Sequence, residues 1–301
     1  MINWAPPDLE FIKSCAYISD TCRRFGSDTS LANIYLLREK YDIETAVCSG
    51  SILRRYNGKS PNRRGYGFPI CEDGTDIGEI LHILADDAQS RGVPLSFCLC
   101  DERQRGALDG YCRIDWQFTD DDSDYIYKRD SLALLSGKKL HRKRNHISSF
   151  SRIYDDVHFE ELSPANAPDA LAVAEKWLDE RIGEPSADEL GELDCIKKAL
   201  AGMSVLGLSG GLLYVGNEPA AMTIVSRISA SCADVHYEKA WGEYAQNGAF
   251  SVINRMFAAS ELIPCDYINR EEDMGIPGLR TAKESYYPAF KLKKYYGECK
   301  C

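Results

Sequence analysis

Three segments carry side chains whose types and spacing could do chemistry. In His236-Tyr237-Glu238-Lys239 an imidazole and a carboxylate stand two residues apart. On a strand, His236 and Glu238 share one face, and Tyr237 and Lys239 share the other. Such a pair can take a proton from an attacking group. A single histidine in a strand serves equally as a satisfied core residue. The second segment runs from Tyr267 to Pro288 and holds Asn269, Arg270, Glu271, Glu272 and Asp273, then Gly275 to Gly278, then Arg280 and Lys283. Loops at strand ends often carry binding groups. Arg280 and Lys283, three apart, share a helix face, and the glycine turn could aim them at the pocket of His236 and Glu238. Carboxylates capping a helix would explain Glu271 to Asp273 as well. The third segment is Lys138-Lys139-Leu140-His141-Arg142-Lys143-Arg144-Asn145-His146. It concentrates cations in a chain of formal net charge −10. Lys and Arg are the donors that phosphate needs. A solvated helix face and a nuclear targeting signal are the other readings.

These groups need elements to position them. GYGFPIC reads as a strand and EDGT as a turn. A helix follows with Ile77, Ile80, Leu81, Leu84 and Ala88 on one face. Next come the strand VPLSFCLCD, a short helix over Glu102–Tyr111 and a long strand region over Cys112–Lys128. In the second half ADVHYEKA is a strand and WGEYAQNG a loop. A helix follows with Ala249, Ile253, Met256 and Phe257 on one face. The strand PCDYINR, a helix near Ile276–Ser285 and the strand AFKLKKYY complete it. The same order thus occurs twice, which suggests a duplication. Between the copies, Asp130 or Ser131 can start a helix whose apolar side is Leu132, Leu135, Leu140, Ile147 and Phe150. VHFEEL is a strand, Ala167–Arg181 and Ala187–Ala201 are helices, and LLYVGNEPAAMTIVSRIS is a hairpin turning at Gly216–Pro219. A junction is expected between Tyr127 and Asp156, giving domains 1–140 and 141–301.

Composition narrows the class. With 301 residues, 44% hydrophobic and 27% charged, the chain is an ordinary globular one, neither disordered, collagenous nor coiled coil. The acidic balance argues against a general nucleic-acid coat protein, so polyanion contact must come from a local patch. The run from Ala201 to Gly216 is broken by glycines and serines and falls short of a membrane span. The N-terminus lacks the pattern of a signal peptide, and the cytoplasm is the expected location. The twelve cysteines read mainly as small hydrophobic residues in a reducing compartment. A nucleophilic cysteine, or a redox or metal role that could include Cys299 and Cys301, is the lesser reading. No paired Cys/His spacing marks a metal site, and none is assigned. P-loop, dinucleotide, zincin and nucleophile-elbow motifs are absent.

Three stretches, YIYKRDSLALLSGKKLHRKRNHISSF, VHYEKAWGEYAQNGAFSVINRMF and YINREEDMGIPGLRTAKESYYPAF, together resemble the family that carries the phosphatidylglycerol lysyltransferase C-terminal domain, in its short branch. The resemblance spans roughly Tyr125 to Phe290; the first half fits by architecture. It implies an α+β protein of two tandem GNAT-like domains, each a mixed twisted sheet covered by helices, similar to the Fem peptidyltransferases. It further implies transfer of an acyl or aminoacyl group from an aminoacyl-tRNA or acyl-CoA co-substrate to an amine or hydroxyl, with no other cofactor assigned. Under that reading His236 or Glu238 is the base and Tyr287 protonates the leaving group. Asn269, Arg270, Glu271, Arg280, Lys283 and Lys239 orient substrate or stabilise charge. Lys138, Lys139, Arg142, Lys143, Arg144, Asn145 and His146 meet the polyanionic donor. Two features depart from relatives. The lipid-modifying members have a membrane domain, and Gln246-Asn247-Gly248-Ala249 does not match the acetyl-CoA loop of ordinary GNAT enzymes. The alternative is a non-catalytic ligand- or RNA-binding protein on the same scaffold. The oligomeric state stays open.

Overall fold

The computed structural model describes residues 2–21, 23–180, 183–262 and 264–300. The chain begins with helices α1 (Leu9–Cys15), α2 (Ile18–Thr21) and α3 (Leu31–Leu36). Strands β1 (Ile43–Cys48), β2 (Ser51–Asn57) and β3 (Arg64–Tyr66) follow, then helix α4 (Gly78–Ser90). The apolar stripe foreseen for α4 is its buried face: Ile80, Leu81, Leu84 and Ala88. After β4 (Ser96–Cys100) comes α5 (Glu102–Asp109), begun by a capping box between Asp101 and Gln104.

The long strand region expected over Cys112–Lys128 is two strands, β5 (Arg113–Phe118) and β6 (Asp124–Lys128). A 3-10 turn at Asp120–Asp122 parts them. Helices α6 (Arg129–Leu134) and α7 (His141–Ile153), strand β7 (Val157–Glu161) and helices α8 (Ala167–Asp179) and α9 (Ala187–Ala201) come next. The expected end of α8, Arg181, lies outside the described residues. Strands β8 (Ser209–Val215) and β9 (Glu218–Ser229) form the hairpin, with Gly216 at φ 57° in its two-residue turn. Then come β10 (Cys232–Ala240), α10 (Gly242–Asn247), α11 (Ala249–Ala259), β11 (Tyr267–Asn269), α12 (Pro277–Glu284), β12 (Phe290–Leu292) and β13 (Tyr295–Lys300). The stretch WGEYAQNG is therefore a short helix rather than a loop.

Two mixed sheets result, β1-β2-β3-β4-β13-β5 and β12-β6-β11-β10-β9-β8-β7. Each contains a parallel pair joined through a helix, β3 with β4 and β10 with β11. Each then continues with a strand lent by the other half. β13 lies between β4 and β5, and β6 lies between β11 and β12. No single cut at residue 140 separates the sheets, because 124–128 pairs within the second and 295–300 within the first. AFKLKKYY is divided in the same way, between β12 and β13.

The largest apolar cluster is shared as well. Ile12, Leu31 and Ile34 of the first helices pack with Val173 of α8, Ile196 of α9 and Tyr237 of β10. Cys98 and Cys100 are buried in β4, and burial raises the Cys98 thiol to about 12, which suits packing rather than nucleophilic use. Cys112, immediately before β5, and Cys299 of β13 form a disulfide. This departs from the expectation of free thiols; Cys301 lies outside the described residues.

Candidate active site

The parallel pairing of β10 with β11 lasts only from Cys232↔Tyr267 to Asp234↔Asn269. Beyond it β10 continues against β9, whereas the chain after Asn269 follows β6 through bonds from Arg270 N to Tyr125 O and from Tyr125 N to Glu271 O. The two strands splay at Asp234 and Asn269. Here β10 carries a bulge: Val235 pairs with Val225 and Tyr237 with Ile224, which leaves His236 as the extra residue. The bulge resets the alternation. His236 meets Asn33 of α3, Tyr237 packs in the shared core, and Lys239 reaches Glu192 of α9. Glu238 turns to the opposite face, onto Arg270 and Asn254 of α11. His236 and Glu238 do not share a face, contrary to the alternation expected of a regular strand.

On the first face, His236 is enclosed. Its Nε2 lies 2.8 Å from Ser226 Oγ, and its Nδ1 lies 3.1 Å from Asn33 Oδ1. Glu271 Oε1 and Asp234 Oδ2 stand 3.4 Å and 3.6 Å from Nδ1. Burial, then the charges of Glu271 and Asp124, push the Asp234 carboxyl well above the usual range. Asn269 donates to Asp124 Oδ2 and to Phe25 O, so it ties β11 to β6 and to the N-terminal segment. Asp124 also accepts from Lys294, whose Nζ is 2.6 Å away. Burial opposes the Lys294 charge, but Asp124, Glu272 and Asp28 outweigh it and hold the ammonium above its ordinary value. A small cleft of about 40 Å³ opens beside this cluster, lined by Asp28, Asn33, Tyr41, Arg63, Glu271 and Lys294 among others. Glu271, its side chain 25% exposed, and Asn33 are the members of the His236 cluster that reach this cleft.

The second face carries Glu238 and Arg270, paired at 2.8 Å. The Arg270 guanidinium lies 5.0 Å from the Tyr286 ring centre, and Lys143 Nζ stands 3.9 Å from the same ring. Burial, then the charge of Arg270, lowers Lys143 to about 8. Lys283 is buried and donates to the carbonyl oxygens of Arg270 and Glu271, and more closely still to Glu272 O. It clamps the strand-end loop. Arg280 does not point to a pocket shared with His236 and Glu238. Its guanidinium is taken by Asp273 at 2.8 Å and Asp121 at 2.6 Å, because the glycine turn leads α12 toward the 3-10 turn instead. Tyr287 is 49% exposed, beside Lys139, and stands apart from the His236 cluster; the buried tyrosine next to Arg270 is Tyr286.

In the basic segment Lys138 and Lys139 precede α7, and Lys138, Lys139, Arg142, Asn145 and His146 are exposed. Arg144 turns back to the carbonyls of Leu135 and Gly137. Among the described residues, none of Lys138, Lys139, Arg142, Lys143 and Arg144 pairs with a carboxylate. His146 of α7 packs beside the start of α11, where a Cβ at Gly248 would lie 3.4 Å from the His146 Cβ.

Sequence reasoning missed Asn33, Asp234, Ser226, Asp124 and Lys294. Asp234 could have been found from its place two before His236. Asn33 comes from more than two hundred residues away and belongs to no motif.

The sequence pattern of the phosphatidylglycerol lysyltransferase C-terminal family matches residues 20–297. The chain belongs to that family. Among solved structures, a conserved protein of unknown function from Bacteroides thetaiotaomicron VPI-5482 is 30% identical over 100% of both chains, with a TM-score of 0.87. L-PGS from Bacillus licheniformis is 14% identical, covers 98% of this chain and 92% of its own, and has a TM-score of 0.67. FemX is 9% identical over 99% of this chain and 98% of its own, with a TM-score of 0.60. No curated protein matches. Membership in the phosphatidylglycerol lysyltransferase C-terminal family agrees with two tandem GNAT-like units, here joined by the exchanged strands, and points to acyl or aminoacyl transfer. Among the described residues no helix is long and apolar enough to cross a membrane.

Proposed function

We propose that the protein transfers an aminoacyl group from aminoacyl-tRNA to an amine or hydroxyl of a small acceptor. The observation that carries the reading is the splay of β10 from β11, where an imidazole–carboxylate cluster meets the cleft between the sheets. Aminolysis of an ester needs a group to take the acceptor's proton, and donors where the carbonyl oxygen becomes negative. Glu271 reaches the cleft and accepts that proton, with His236 behind it to spread the charge. Arg63 and Lys294 line the same cleft and face the developing oxyanion. The cations of the 138–144 segment, free of carboxylates, favour a polyanionic donor.

The test offers charged tRNA or acyl-CoA with a panel of amines and alcohols. Transfer is expected from aminoacyl-tRNA, reduced about 10²–10⁴-fold in kcat by Glu271→Gln. Transfer from acyl-CoA alone would overturn the donor. One observation favours the rival binding-protein reading: both ring nitrogens of His236 already have partners. Tight ligand or tRNA binding with no transfer across the panel would decide for it.

A further inference from the structure

The His236 cluster has more acceptors than donors. Asn33 Nδ2 carries two hydrogens, yet it lies within reach of three oxygens: Ser27 O at 3.1 Å, Asp234 Oδ2 at 3.1 Å and Glu271 Oε1 at 2.8 Å. Asp234 is fully buried, and its other oxygen, Oδ1, has no hydrogen-bond partner among the described residues. A buried carboxylate oxygen without a donor is costly. Two carboxylates and one imidazole here bring their ligand-type atoms within 4.8 Å of one another.

We propose that Asp234, His236 and Glu271 form a binding site for one divalent transition-metal cation, with the Asn33 side-chain oxygen as a fourth ligand. A tetrahedral site with bonds of about 2.0–2.1 Å has ligand-to-ligand edges of about 3.3 Å. From His236 Nδ1, the edges to Asn33 Oδ1, Glu271 Oε1 and Asp234 Oδ2 are 3.1, 3.4 and 3.6 Å. A ligating imidazole needs its other nitrogen to donate to an oxygen, which fixes the tautomer. Ser226 Oγ is in place for that, 2.8 Å from Nε2, and is itself held by Ser30 Oγ at 3.0 Å. On binding, Asn33 Nδ2 keeps Ser27 O and yields the two carboxylates to the cation. Entry is from the cleft, which Asn33 and Glu271 line. One imidazole with oxygen ligands suits Zn²⁺ or Mn²⁺ better than a thiolate-seeking ion. The site shares Glu271 and His236 with the transferase reading, but binding is measured without any substrate, so the two are tested separately.

The experiment titrates chelator-treated full-length protein with Zn²⁺ by calorimetry and thermal melting, with Co²⁺ as a spectroscopic probe. One equivalent is expected, with a melting temperature that rises with metal concentration. Asp234→Asn and Glu271→Gln should each remove both effects, and Ser226→Ala should weaken binding about 10–100-fold. Glu271 is partly exposed, so that variant keeps the test valid should Asp234→Asn fail to fold. The proposal falls if no stoichiometric metal binds. It also falls if Zn²⁺ binds equally to the folded variants, which would place the metal elsewhere, for example on cysteines. Failure of metal binding with aminoacyl transfer intact would leave the proposed function standing.

Discussion

Lys294 stands where the two halves meet. Its ammonium is 2.6 Å from Asp124, 3.8 Å from Asp28 and 2.8 Å from Ser27 Oγ, all buried. Removing it strands the Asp124 charge in a dry site, a loss that costs about 3–5 kcal/mol. Lys294→Met should therefore lower unfolding free energy by about that amount in urea titrations. Adding Asp124→Asn should recover much of the loss; a double variant no better than the single would contradict this account. Lys143 provides a pH signature. Its folded value of about 8 lies below the about 10.4 of an unfolded lysine, so folding disfavours its charge. The penalty is full below pH 8 and is relieved as pH rises toward 10.4. Lys143→Met should thus raise the melting temperature at pH 7 and lose that advantage near pH 10. Arg280→Ala is expected to lower the melting temperature, since Asp273 is fully buried beside it, and to leave tRNA affinity unchanged. A filter-binding titration beside the melt separates the two.

At the scale of elements, regular periodicity is what the sequence made visible. The α4 stripe, the β8–β9 hairpin and strand β10 all follow from local side-chain order, and their positions agree with it. The bulge at His236 leaves no such trace. Nothing in His236-Tyr237-Glu238 marks an extra residue, because its cause is pairing with Val225 and Ile224 of another strand. One unpaired residue then sends Glu238 to the far face and divides the expected site in two. Asn33 is invisible for a related reason: its role is defined only once α3 lies over β10. Strand β13 is also fixed from a distance. It pairs on both edges and is stapled to the start of β5 by Cys112–Cys299, which closes 187 residues. In the chain-entropy account, so long a loop is worth about 5 kcal/mol. Reduction, or Cys299→Ser, should lower the unfolding free energy by up to that amount in parallel denaturant titrations.

For the molecule as a whole, the halves are recognisable in sequence as repeated element orders, but not as separable bodies. Ile12, Leu31 and Ile34 bury against Val173 and Ile196 across the repeat boundary, and each such side chain contributes about 1.5–3 kcal/mol by leaving water. Segments 1–140 and 141–301 expressed alone should lack dispersed amide spectra, whereas the two together should restore them. A well-folded 1–140 fragment would refute this. The lent strands also order events in time. Translation delivers Cys112 ahead of Cys299 by 187 residues, which at 5–20 residues per second is roughly 10–40 s. Through that interval β4 and β5 are complete but have nothing between them, so a growing chain presents two unsatisfied strand edges to the cell. Synthesis speed and chaperone supply, rather than final stability alone, then govern how much of this protein reaches its native form.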